Sequence, residues 1–199
     1  MNRSRRDVLA AGGAIAALSA ASLAGCLDFA AGDGAQGPDG TPETLSCADE
    51  AFVRLEAPIE EPVAERTLNV EGASVELSIE GTSETYGNSL RIALRNAGDG
   101  AVTARGEHAY ALQRETGAGW QDVRGSPSGE PAELPVAEES VAPNATYNWN
   151  LTLREDALAE VVPDVELAVC PALGPGTHRF VYWGLVDAPP VGIEFELVG

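Results

Sequence analysis

The sequence predicts an all-β fold, an antiparallel β-sandwich, and three observations predict it. Apolar and polar residues alternate with a period of two in several short runs, the mark of strands with one buried face. Gly, Pro, Asn and Asp cluster between those runs, where the chain must turn. A hydrophobic fraction of 44% supplies enough apolar material for a core in one domain of ordinary size.

The organising stretch is Tyr86 to Val123. Leu90, Ile92 and Leu94 alternate with Ser89, Arg91, Ala93 and Arg95, and Asn96-Ala97-Gly98-Asp99-Gly100 then turns the chain. Val102 restarts an extended segment, His108 to Gln113 forms another, and Gly117-Ala118-Gly119 breaks it before Trp120 and Val123. Upstream, Ala51 to Glu56 reads as a first strand. Pro58 and Pro62 mark the next acidic stretch as an edge or loop, and Val75, Leu77 and Ile79 form an amphipathic strand. Downstream, 124–133 reads as a loop because Gly and Pro interrupt it. Tyr147, Trp149, Leu151 and Leu153 share one face of a strand whose other face is Asn148, Asn150 and Thr152. Glu155 to Val161 suits a helical turn or two. Leu173-Gly174-Pro175-Gly176-Thr177 is a tight turn into Arg179-Phe180-Val181-Tyr182-Trp183, and Ile193, Phe195 and Leu197 end the chain in a last strand.

Charge is the outlier. The net value is −19, and all twelve basic residues are Arg. Such a surface repels nucleic acid and anionic head groups, so a nucleic-acid partner is excluded from the expectation. Acidic excess without Lys resembles the proteins of salt-loving archaea, in which concentrated salt shortens the screening length to about 3 Å at 1 M.

Ser4-Arg5-Arg6-Asp7-Val8-Leu9 resembles a twin-arginine export signal, with Arg5 and Arg6 as its pair. Val8 to Leu23 is a short Ala-rich apolar run, suited to a signal segment and too short for a secure membrane span. Leu23-Ala24-Gly25-Cys26 resembles a lipobox, and the resemblance implies lipid attachment at Cys26. The expected organisation is therefore a signal peptide over 1–25, a flexible acidic Gly/Pro linker over 26–46 and a head over 47–199. Arg3, Arg5, Arg6 and Asp7 would leave with the leader, so the remaining chain carries −21. The expected location is the extracytoplasmic face of the cell membrane, with the membrane as a partner through the lipid on Cys26.

Trp120-Gln121-Asp122-Val123, then Val141-Ala142-Pro143-Asn144-Ala145-Thr146-Tyr147, then Leu173-Gly174-Pro175-Gly176-Thr177-His178-Arg179-Phe180 occur in that order. These stretches resemble the bacterial immunoglobulin-like domains, from about Ser89 to the C-terminus. Asn144 stands where those domains usually have Gly, and His178 where they usually have Tyr. The resemblance implies an immunoglobulin-like sandwich and an extracytoplasmic setting. It implies no activity.

Few residues carry recognisable chemistry. Cys170, His178 and His108 raise a cupredoxin-like copper site, but Met1 is the only Met and Cys47 competes for Cys170. No Gly-x-Ser-x-Gly elbow is present, so no catalytic residue, metal site or cofactor is expected. The acidic run 130–139 lacks the spacing of a calcium loop and reads as solvated charge. Tyr147, Trp149 and Trp183 read as core rather than as a ligand groove. With Cys26 lipidated, Cys47 and Cys170 remain for a disulfide in an oxidising compartment. Asn144-Ala145-Thr146 and Asn150-Leu151-Thr152 are glycosylation candidates. The expected role is a lipid-anchored binding or structural module for an unknown protein or carbohydrate partner. The alternatives are a proteinase-inhibitor-like sandwich acting through loop 124–133, and an electron carrier.

Overall fold

The computed structural model describes residues 34–70 and 73–199. The export pair Arg5 and Arg6, the lipid site Cys26 and residues 27–33 of the expected linker lie outside the described residues.

In chain order the elements begin with β1 (Val53–Arg54), β2 (Ala64–Glu65), β3 (Thr67–Val70), β4 (Ala73–Ile79), β5 (Ser83–Thr85) and β6 (Ser89–Asn96). There follow β7 (Val102–Ala104), β8 (Tyr110–Thr116), β9 (Gly119–Asp122), β10 (Arg124–Ser126), β11 (Glu139–Val141) and β12 (Thr146–Thr152). The last are α1 (Glu155–Ala159), β13 (Ala168–Val169), β14 (Gly176–Tyr182) and β15 (Val191–Val198).

One sheet has the order β12-β6-β4-β3, all antiparallel. Its register sets Trp149 opposite Ile92 and Ile92 opposite Ile79, so the period-two apolar residues align across three strands. The other large sheet runs β2-β15-β14-β8-β9, with β5 also on β15. Its strands β8, β14 and β15 bring Leu112, Phe180 and Ile193 into one row. Their inward residues join those of the first sheet in a single core, where the rings of Trp149 and Tyr110 each lie 4.9 Å from that of Phe180. Trp149 meets its polar demand by donating Nε1–H to the Glu107 carbonyl at 2.9 Å. Among the described residues the fold is thus β-rich, with several sheets and none that closes into a barrel.

The structure departs from the antiparallel expectation at β2 and β5, which run parallel to β15. Both are two or three residues long, and they cover backbone groups at an edge that would otherwise be unpaired.

Three further expectations are corrected. Residues 124–126 are not loop: β10 is the middle strand of a small sheet, β1-β10-β13, and all three residues are buried. The Gly and Pro signals belong to 125–131, and tertiary pairing overrides the first of them, because Gly125 lets Phe52 and Val53 approach where a Cβ would stand 2.5 Å from both. His108 sits in a turn and not on a strand. Residues 37–46 are bonded to the head instead of hanging free. Gly37 N–H donates to the Leu173 carbonyl, Gly117 N–H to that of Pro42 and Ala118 N–H to that of Glu43, at 2.7, 2.8 and 3.0 Å. Leu45 enters the core. The glycine at 174 permits the approach, since a Cβ there would stand 2.3 Å from the Pro38 carbonyl oxygen.

Candidate functional site

The face of the β8–β14–β15 sheet turned away from the core carries polar residues that are themselves largely covered. Gln113 on β8 and Arg179 on β14 are register partners, and both are buried. Arg179 donates Nε–H to the Gln113 side-chain oxygen and Nη2–H to Glu61, each at 2.7 Å. Its guanidinium also lies 4.4 Å from the ring centroid of Trp120, which the β8–β9 hairpin supplies. Arg179 is thereby held from three sides. The hydrogen bond from Arg179 lowers the Glu61 pKa, so Glu61 remains a carboxylate.

Two depressions of about 420 and 450 Å³ share Glu61, Trp120 and Arg179, and together make one groove beside the segment 55–63. Trp120 remains half-buried within it. This is the candidate site; in the sequence Trp120 and Arg179 belong to predicted strands and to the stretches that carry the immunoglobulin-like resemblance, and no motif there marks them as site residues. The available signal was weak: an Arg on β14 at an otherwise apolar position, directly before Phe180.

Beneath the groove lies an ion pair. Arg124 Nε and Nη2 each reach a separate oxygen of Asp122 at 3.1 Å, with the two side chains 0% and 2% exposed. Arg124 also donates to the Tyr110 carbonyl at 2.9 Å and stacks 4.4 Å from that ring's centroid. Burial disfavours its charge, but Asp122 and the contacts to Tyr110 outweigh that, so its pKa is raised. The pair fixes the hairpin that presents Trp120.

The expected disulfide is present: Cys47 and Cys170 are bonded, with Cα atoms 5.6 Å apart. Cys47 precedes β1 and Cys170 follows β13, so the bond ties together the two outer strands of the sheet centred on β10. Arg54 supports the same corner, donating to the Leu45 carbonyl at 2.6 Å and to the Cys47 sulfur at 3.6 Å. The bond removes the thiolate that a copper site would need.

His178 is 1% exposed, and its Nδ1 lies 2.9 Å from the Gly176 carbonyl. Burial lowers its pKa to about 4, so the ring is neutral and Nδ1 donates. The sequon residues Asn144 and Asn150 are both exposed, Asn144 at φ 65° with its side-chain oxygen accepting from Arg95, and Asn150 on the edge strand β12. Of the aromatic trio, Trp149 is core, while Tyr147 and Trp183 are half-buried. Tyr147 donates its hydroxyl to Glu139. The acidic run 130–139 is almost wholly exposed, and among the described residues no group of three or more His, Cys, Asp or Glu converges on a metal position. Among the described residues no helix is long and apolar enough to cross a membrane.

No family model matches the chain, and no curated protein matches it. Among solved structures the chain is similar to a beta-glucosidase from Listeria innocua in complex with glucose, at 22% identity and a TM-score of 0.33. The same enzyme in complex with isofagomine matches at 19% identity and the same TM-score. The matches cover 64% of this chain and 16% of the enzyme's. A likeness so slight carries neither fold nor activity across.

Proposed function

We propose that this chain is an exported surface protein, anchored through lipid on Cys26, whose head is an immunoglobulin-like β-sandwich acting as a binding module and not as an enzyme. The observation that carries the reading is the Cys47–Cys170 disulfide. Such bonds persist outside the reducing cytoplasm, in the compartment to which the Arg5-Arg6 and Leu23-Ala24-Gly25-Cys26 motifs would send the chain. The immunoglobulin-like assignment is supported by two sheets, antiparallel apart from the short strands β2 and β5, that share one core to which Trp149 belongs. A binding role is supported by the preorganised groove, where Arg179 is already fixed by Gln113, Glu61 and Trp120 before any ligand arrives.

Membrane fractionation tests the anchor. Cys26→Ser should release the protein from membranes, and Arg5→Lys with Arg6→Lys should hold it in the cytoplasm. A Cys26→Ser chain that stays fully membrane-bound refutes the lipid anchor.

A further inference from the structure

We propose that the groove over Trp120 and Arg179 binds a neutral oligosaccharide. The proposal rests on the binding-module reading above and names the class of ligand.

Charge balance is the first argument. The whole chain has 31 acidic residues against 12 basic ones. Within the groove four exposed carboxylates, of Glu56, Glu61, Glu65 and Glu194, face the three guanidinium groups of Arg54, Arg66 and Arg179, while Asp122 is paired with Arg124 beneath it. The groove is therefore close to neutral on a surface that is strongly acidic elsewhere. A polyanion would still be repelled by the surroundings.

The second argument is the kind of polar group present. Gln113, Gln121, Arg179, Glu61 and Glu194 line the groove with the Trp120 indole. The Gln113 and Gln121 oxygens already accept from Arg179 and from the Leu45 N–H, which leaves their NH₂ groups as donors and the Glu61 and Glu194 carboxylates as acceptors. A sugar hydroxyl both donates and accepts, so adjacent hydroxyls can satisfy both kinds. The C–H face of a pyranose ring gives the indole an apolar partner.

Shape is the third. Each depression falls within the range of about 300–1,000 Å³ typical of small-molecule sites, and the two meet at Trp120. Two adjoining depressions of this size suit more than one ring. An extended peptide, the rival occupant, would gain most of its affinity at an open strand edge. Arg179 and Gln113 belong to β14 and β8, interior strands of their sheet, while Trp120 and the pair Ala64–Glu65 lie on its edge strands β9 and β2, so the peptide arm of the test below is the discriminating one.

The test uses the purified full chain in molar salt, titrated with a panel of neutral oligosaccharides and followed by tryptophan fluorescence and calorimetry. At least one oligosaccharide should bind saturably. Trp120→Ala and Glu194→Ala should each weaken it by about tenfold or more. Trp183→Phe, outside the groove, should leave the affinity unchanged. Melting curves establish that each variant is folded. The proposal is overturned if no neutral oligosaccharide saturates the protein, if folded Trp120→Ala binds as well as the parent, or if a peptide panel binds the groove and displaces the sugar. Fractionation of Cys26→Ser is independent of these outcomes, so a failed anchor and a failed ligand class are told apart.

Discussion

Replacing Asp122 with Asn should destabilise the head by about 3–5 kcal/mol, the usual consequence of removing one partner from a buried ion pair. The carboxylate accepts four hydrogen bonds, from the backbone N–H groups of Leu112 and Arg124 and from Arg124 Nε and Nη2, at 2.9 to 3.3 Å. Asn keeps the volume but presents an NH₂ toward those donors and removes the charge that balances Arg124. With Arg124 fully buried, water cannot compensate. For a chain of this length the loss corresponds to a fall in Tm of roughly 6–20 °C. Thermal and urea unfolding of the disulfide-intact protein would measure it. Because the pair is buried, the difference between parent and variant should be similar in molar and in tenth-molar salt. The double change Asp122→Leu with Arg124→Met should recover much of the loss, since apolar pairs of similar volume often replace buried ion pairs without penalty. A single variant within about 0.5 kcal/mol of the parent would show that the pair does not support the hairpin.

Three further outcomes are expected. Reducing the Cys47–Cys170 bond, or replacing both with Ser, opens a separation of 123 residues and should lower stability by up to about 4–5 kcal/mol, read by denaturant unfolding; equal stability of both forms would remove the bond from the account. His178 has a folded pKa of about 4, below an unfolded value of about 6.5, so the unfolded chain binds the extra proton between them. Its contribution is complete above about pH 6.5 and is lost as the pH falls toward about 4, on the order of 2–3 kcal/mol, and His178→Phe should flatten that part of the stability profile relative to the parent. Finally, the charge of −21 on residues 26–199 should make Tm rise from tenth-molar to molar salt, where the screening length falls from about 10 to about 3 Å; an unchanged Tm would make the acidity irrelevant to stability.

Much of the strand framework was legible in the sequence because its cause is local. Leu90, Ile92 and Leu94 alternate with polar neighbours since one face of β6 meets the core and the other meets water, and that pattern survives in any one-dimensional reading. The same holds for β4 and β12. The Cys47–Cys170 pairing followed from the expectation that Cys26 carries lipid, which leaves two cysteines to pair. What the sequence could not determine has non-local causes. Arg114, Arg124 and Arg179 are buried, and composition alone would have put them on the surface. Asp122, the backbone carbonyls of the segment 37–45, and Gln113 with Glu61 make their burial affordable, and only folding brings those partners together. The segment 37–46 looked like a free tether because it has few apolar residues, yet it docks through backbone groups that carry no sequence signature. Trp120 became a site residue for the same reason: its indole meets Arg179, 59 positions away, only when β9 and β14 flank β8 in one sheet.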